Sequence, residues 1–426
     1  MKIFIKNANV LPMTGVDKIL PRSDILIKNG RIAKIAQNLK ADSNAKIINA
    51  RNMVAMPGLI NTHTHAAMVL FRGLADDLPL RKWLEEKIWP AEAELTEEDV
   101  YFGSSLGIME MLKGGVTCFN DMYWFVEGTA EAVKQSGIRA VLNGVLVGIV
   151  PNAEQDFEKA ILDVKKWHPS TSLGARGRIK MIFAPHALYS CPPKYLKKIL
   201  KEAKKLKTMI HIHLAETMQG KGDIEKAAEL GVFDLPTIAA HCVWVSEKEI
   251  DILKKYKVAV AHCPVSNLKL ASGIAPVWQM VRKGILVALG TDGAASNNTL
   301  DMWETMKLAA LLAKVKENEP TALPAYQVLK MATINGARAL GLEKEIGTLE
   351  VGKKADIILI NLKKPHFIPL HNIVSHLVYV ASKEDVDTVI VDGKILVKGG
   401  CLIGLDEQKI INEVEKRADK IKEEIK

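Results

Sequence analysis

Cysteine is scarce in this chain, with five in 426 residues. The count is odd and no C-x-x-C pair occurs. That fits a reducing cytoplasm better than a disulfide framework, and the cytoplasm is the expected location. Long hydrophobic runs are also missing. The longest, Ala140 to Val150, contains Asn143 and is too short to span a bilayer, so no membrane partner is expected. The opening Met1-Lys2-Ile3-Phe4-Ile5-Lys6 alternates like a strand and does not read as a signal peptide. No G-x-x-x-x-G-K-[ST] sequence occurs, which removes support for nucleoside triphosphate chemistry. Strong charge of one sign is absent too: 58 basic against 49 acidic residues leave a net charge of +9. The densest basic run, Lys201 to Lys207, has the spacing of a solvated helix face, and basic residues do not interleave with aromatics. No nucleic-acid partner is expected.

What the chain does have is apolar content, 48%, enough for one large core and a smaller one. Eight short β-rich runs stand out: Leu59–His65, Thr117–Tyr123, Arg139–Val147, Ile179–His186, Met209–Glu216, Thr237–Val243, Val258–Pro264 and Leu286–Asp292. Each is followed by a helical pattern or a long loop. Near-continuous apolar strands alternating with amphipathic helices indicate a parallel sheet buried on both faces. Eight such units predict an α/β fold with a closed (β/α)8 TIM-type barrel, whose sites lie at the C-terminal strand ends. Thr96-Glu97-Glu98-Asp99 resembles a capping box opening a helix to Lys113, which Gly114-Gly115 then ends.

The ends read differently. Asp24–Lys28 followed by Asn29-Gly30 is a hairpin signal, and Thr388–Val391 followed by Asp392-Gly393 repeats it. The expected organisation is a small β-sandwich domain from residues 1–56 and 346–405, a hydrolase barrel over 57–345, and a terminal helix over 406–426. Ile410, Val414, Ile421 and Ile425 mark one face of that helix.

The chemistry is concentrated at the predicted strand ends. His63 and His65, in Thr62-His63-Thr64-His65, share one side of a strand. His213 ends the fifth run and Asp292 the eighth. Three imidazoles and one carboxylate can hold a transition metal and leave room for a water, so these four are the predicted ligands. His186 ends the fourth run and His241 lies near the end of the sixth. A lone strand histidine is usually a satisfied core residue, but six such groups at one face point to a metal-dependent hydrolase. His211 and His262 lie deeper and read as hydrogen-bonded core residues. His168, His366, His371 and His376 carry no site signal. Glu216, three residues after His213, is placed to move protons beside a metal-activated water. Asp292 can combine ligation with proton acceptance through its second oxygen.

These motifs resemble the amidohydrolase superfamily across nearly the whole chain. Pro57-Gly58-Leu59-Ile60-Asn61-Thr62-His63-Thr64-His65, His213-Leu214-Ala215-Glu216, His241-Cys242-Val243, Gly290-Thr291-Asp292-Gly293 and Gly347 to Asp356 stand in the family's order. Ser266 to Leu270 with Gly273 to Val277 is similar to the 5-methylthioadenosine/S-adenosylhomocysteine deaminase branch. The resemblance implies hydrolytic deamination of an adenine nucleoside to its inosine analogue, with a small-molecule partner and a homo-oligomer. The substrates would be 5′-deoxyadenosine, 5′-methylthioadenosine, adenosine or S-adenosylhomocysteine. In this scheme Glu216 protonates N1, while His241 and Asp292 stabilise the attacking oxygen and collect its proton. Binuclear relatives carry a lysine on the fourth strand; Ala184-Pro185-His186 has none. A single divalent metal is therefore implied, zinc first and iron second. By the same resemblance Glu92 and His186 bind ribose. One departure is the absence of arginine from Ala140 to Ala175, where relatives grip the S-adenosylhomocysteine carboxylate, so small 5′ groups are expected to be preferred. The alternative readings are a guanine or cytosine deaminase, or a triazine chlorohydrolase.

Overall fold

The computed structural model describes residues 2–15, 17–149, 153–167 and 177–424. His168, Ile425 and parts of the 140–175 stretch lie outside them. Each of the eight apolar runs contains strand. In chain order these are Leu59–Thr64, Val116–Tyr123, Arg139–Leu146, the split pair Ile179–Met181 and Ala184–Pro185, Ile210–Leu214, Thr237–His241, Ala259–His262 and Val287–Leu289. All pair in parallel with their neighbours. The first and second strands are buried at every residue, which explains why their sequences do not alternate.

Hydrogen bonding divides the strands into a five-stranded and a four-stranded sheet, two half-barrels. At one seam, bridges join Phe183 to Ile210 and Ala187 to His213. At the other, the Asp292 amide donates to the His63 carbonyl at 3.0 Å, and Thr62 Oγ1 donates to the Leu289 carbonyl at 2.7 Å. The fourth run breaks because it changes partner within itself. Ile182 N bonds back to Leu142 O at 3.2 Å, whereas Phe183 N bonds forward to Met209 O at 3.2 Å.

The helix Glu97–Lys113 forms as its capping box predicts, with Thr96 and Asp99 bonded reciprocally. Gly114 caps it and Gly115 follows at φ +86°, where an added Cβ would lie 3.2 Å from Ile358 and 3.3 Å from Val386. Strands from both terminal segments meet at Met53–Pro57, which pairs with Lys2–Val10 and with Ile357–Asn361. That double pairing fuses them into one nine-stranded sheet. Buried apolar residues of this sheet, among them Ile3, Ile25, Ile357 and Ile390, form a core of their own. Both hairpin signals are present as turns, with Asn29 and Gly30 and again Asp392 and Gly393 at positive φ.

The terminal helix Glu407–Glu424 buries Ile410, Val414 and Ile421 against Val100, Phe102 and Met109 of the capped helix. Its Arg417 guanidinium stacks over the Phe102 ring at 4.2 Å and pairs with Asp99 at 3.0 Å. Among the described residues no helix is long and apolar enough to cross a membrane.

Candidate metal centre and active site

Every strand-end residue singled out above converges on one face of the half-barrels. His63 Nε2 lies 3.1 Å from His213 Nε2 and 3.4 Å from Asp292 Oδ1. His65 Nε2 lies 3.2 Å from the same carboxylate oxygen. Two donor clusters share His63: one adds His65 and Asp292, the other His213 and His241, with each cluster's ligand atoms within 4.8 Å of one another.

The protons on these rings follow from their outer contacts. His65 Nδ1 donates to the Met122 carbonyl at 2.5 Å, and His213 Nδ1 donates to the His186 carbonyl at 2.7 Å. In their neutral forms both rings therefore present bare Nε2 lone pairs to the cluster. Converging lone pairs beside a carboxylate repel unless a cation lies among them, so the donor set fits a metal. Nitrogen and oxygen donors of this mix suit a transition ion such as zinc or iron.

Burial sets the electrostatics. It depresses His63 to about 4 and His186 to about 3, and pushes His213 well down, helped by the surrounding imidazoles. It also disfavours charge on His65, but the Asp292 carboxylate outweighs that and lifts this ring to about 9. Burial alone would raise Asp292; its bonds and charge contacts with His63 and His65 hold it well below the usual carboxylate range. Burial raises both Glu216 and Glu92, favouring their protonated forms.

The surrounding polar residues orient this set. Asp292 Oδ1 accepts from the Gly293 amide at 2.8 Å. Its Oδ2 accepts from Ser266 at 2.6 Å and Ser296 at 3.0 Å. His241 Nδ1 donates to Asn267 Oδ1 at 2.9 Å, leaving Nε2 3.9 Å from Glu216 Oε2. His211 is deep, as expected, with Nε2 3.1 Å from His63 Nδ1. Its other nitrogen meets Asn120 at 2.9 Å and Asn143 at 3.1 Å. His262 is buried, as expected, but its Nδ1 has no hydrogen-bond partner among the described residues. Ala215, His241, Cys242 and Asp292 all adopt positive φ, backbone strain concentrated where the side chains must converge.

An inner chamber of about 60 Å³ is lined by His65, His213, Glu216, His241 and Asp292, together with Glu92 and His186. His63 lies fully buried beneath it. Glu92, on the short helix Trp89–Ala93, turns inward and accepts from Trp124 Nε1 at 3.2 Å. The preceding π-helical turn, Trp83–Ile88, brings Trp83, Leu84 and Ile88 to the same wall. His186 is oriented by Ser190 Oγ at 2.6 Å. A cavity of about 570 Å³ adjoins the chamber, sharing Leu80, Leu84, Trp89, Tyr189, His213, Glu216 and Leu270. Among the described residues one arginine lines it, Arg81, whose Nε pairs with Glu85 at 2.9 Å. Ser266, Ser296 and Asn267 were not singled out individually in the sequence, although the Ser266-Asn267 motif contains two of them.

The chain is similar to known proteins over nearly its full length. The family model described as "Amidohydrolase family" matches residues 54–396. A 5-methylthioadenosine/S-adenosylhomocysteine deaminase of Dictyoglomus turgidum is 48% identical, with 98% of each chain covered. A 5′-deoxyadenosine deaminase of Methanosarcina acetivorans is 47% identical, again with 98% of each covered. Among solved structures, an adenosine deaminase from Xanthomonas campestris with bound zinc superposes with a TM-score of 0.91 at 35% identity, covering 99% of this chain and 98% of its own. This chain belongs to the amidohydrolase family, in the branch that holds these nucleoside deaminases.

Proposed function

We propose that the chain hydrolytically deaminates adenine nucleosides, releasing ammonia and the inosine analogue. The observation that carries this reading is the meeting of Glu216, His241 and Asp292 with the histidine cluster in one chamber. His63, His65, His213 and Asp292 are the proposed ligands of one divalent ion, zinc by preference with iron as the second choice. When bound, that ion supplies the Lewis acidity that makes water nucleophilic near neutral pH. Glu216, whose carboxyl burial shifts toward its protonated form, delivers a proton to purine N1 as water adds to C6. His241 and Asp292 stabilise the attacking oxygen and take its proton, which then passes to the departing amine.

Glu92 and His186 form the proposed ribose contacts. They favour a nucleoside over the alternatives, because a free guanine, cytosine or triazine ring has no sugar hydroxyls to occupy the hydrogen-bonding capacity that Trp124 and Ser190 leave on them. The relatives named above, which include a 5′-deoxyadenosine deaminase, support the same substrate class. Within it, 5′-deoxyadenosine, 5′-methylthioadenosine and adenosine are the proposed substrates. S-adenosylhomocysteine ranks below them, since no arginine occurs from Ala140 to Ala175 to clamp its carboxylate.

The proposed organisation is a small β-domain from residues 1–56 and 346–405, a barrel over 57–345 and a helix over 406–426. Exposed Leu311 and Val315, one turn apart on Met302–Glu317, support a homo-oligomer. The odd cysteine count supports a cytoplasmic location. The direct test incubates zinc-loaded protein with adenosine and measures ammonia and inosine. Equimolar release that chelator abolishes supports the reading; no release from any adenine nucleoside overturns it.

A further inference from the structure

One polar group in the inner chamber is left without a role by this scheme. Tyr123 is the last residue of the second barrel strand, is 2% exposed, and lines the chamber. Its buried hydroxyl faces the Glu92 carboxyl, close enough to interact with it, but makes no hydrogen bond of good geometry among the described residues. A phenylalanine would fill the same space without an unpaired hydroxyl, and unpaired buried hydroxyls are disfavoured.

The backbone holds this phenol firmly in place. One residue earlier, the Met122 carbonyl receives the His65 Nδ1 proton at 2.5 Å. Two residues earlier, Asp121 Oδ1 accepts from the Ala66 amide at 2.7 Å. The phenol lies near Glu92 rather than on the Glu216 side. Burial, and then the Glu92 charge, push its acidity well beyond the usual range, so it remains a proton-bearing donor.

Glu92, when ionised, can only accept hydrogen bonds. A sugar diol offers two hydroxyl protons and also oxygen lone pairs, and these require a donor from the protein. Trp124 Nε1 is already committed to Glu92 Oε2 at 3.2 Å. The Tyr123 hydroxyl, beside Glu92 but not locked to it by a hydrogen bond of good geometry, can turn to a sugar oxygen.

We propose that the Tyr123 hydroxyl donates a hydrogen bond to one ribose hydroxyl of the substrate, beside Glu92, and so determines specificity for ribosides. This rests on the nucleoside reading above. Tyr123 touches the sugar and takes no part in proton transfer.

The test compares wild-type protein and Tyr123→Phe, both zinc-loaded, on adenosine, 2′-deoxyadenosine and 3′-deoxyadenosine. Loss of one neutral hydrogen bond should lower kcat/KM on adenosine by about tenfold, chiefly through KM. The loss should vanish for whichever deoxynucleoside lacks the hydroxyl that Tyr123 meets. An equal loss on all three substrates, or no loss on adenosine, overturns the proposal. Wild-type protein inactive on all three overturns the nucleoside reading itself, and this proposal with it. If Tyr123→Phe loses its cooperative melting transition, Tyr123→Leu carries the same comparison.

Discussion

Replacing Glu216 by glutamine isolates the proton-transfer step from metal binding and from shape. The side chain is 12% exposed, and its Oε2 lies 3.9 Å from His241 Nε2. Glutamine keeps the volume and can still donate an N–H bond to purine N1, but it cannot give up that proton. General acid–base catalysis contributes about 10²–10⁴-fold, or about 2.7–5.4 kcal/mol of barrier. Turnover of Glu216→Gln should fall by that range. Metal stoichiometry should stay at the wild-type value, because Glu216 belongs to neither donor cluster. The assay follows the ultraviolet change as adenine becomes hypoxanthine, alongside metal analysis of the same sample. A pH series adds a sign. Burial raises the Glu216 carboxyl, so the acid persists above the usual carboxylate range and wild-type activity declines as pH rises through that raised value. The glutamine variant lacks that limb. Near-wild-type turnover, or loss of the metal, would refute the reasoning.

Two further outcomes test the frame around the site. A methyl group on Gly290 would lie 2.8 Å from His63 Cβ and 2.9 Å from its backbone nitrogen and oxygen. Gly290→Ala should therefore cost about 1–3 kcal/mol of stability and lower metal content, read by thermal melting and metal analysis. Stripping the metal should leave the 3.1 Å contact between His63 Nε2 and His213 Nε2 without its cation. At a free-ion concentration one hundred times the dissociation constant, that removes about 2.7 kcal/mol of stabilisation, seen as a lower Tm that returns with added zinc.

The strand ends were legible because two local signals coincide there. A run such as Leu59–Thr64 is apolar enough to be buried throughout, and its i, i+2 histidines must share a face whatever the tertiary context. His211 was legible for the same reason, since parity gives its side and position gives its depth. The break at Ile182 and Phe183 was not, because it follows from hydrogen bonds to Leu142 and Met209, residues distant in sequence. The single terminal sheet was hidden likewise, in the pairing of Met53–Pro57 on both sides. Glu92 emerged only through family resemblance. Its inward orientation depends on a π-helical turn and on Trp124, neither of which has a sequence pattern of its own. The serines that grip Asp292 were obscured because short polar residues serve equally well in turns.

The most direct measurement is an ultraviolet assay of zinc-loaded protein on 5′-deoxyadenosine, 5′-methylthioadenosine, adenosine and S-adenosylhomocysteine in parallel. The account predicts rapid conversion of adenine to hypoxanthine, abolished by chelator and restored by zinc, with the first three favoured over S-adenosylhomocysteine. Comparable efficiency on S-adenosylhomocysteine would contradict the preference for small 5′ groups. No conversion of any of the four would contradict the deaminase assignment.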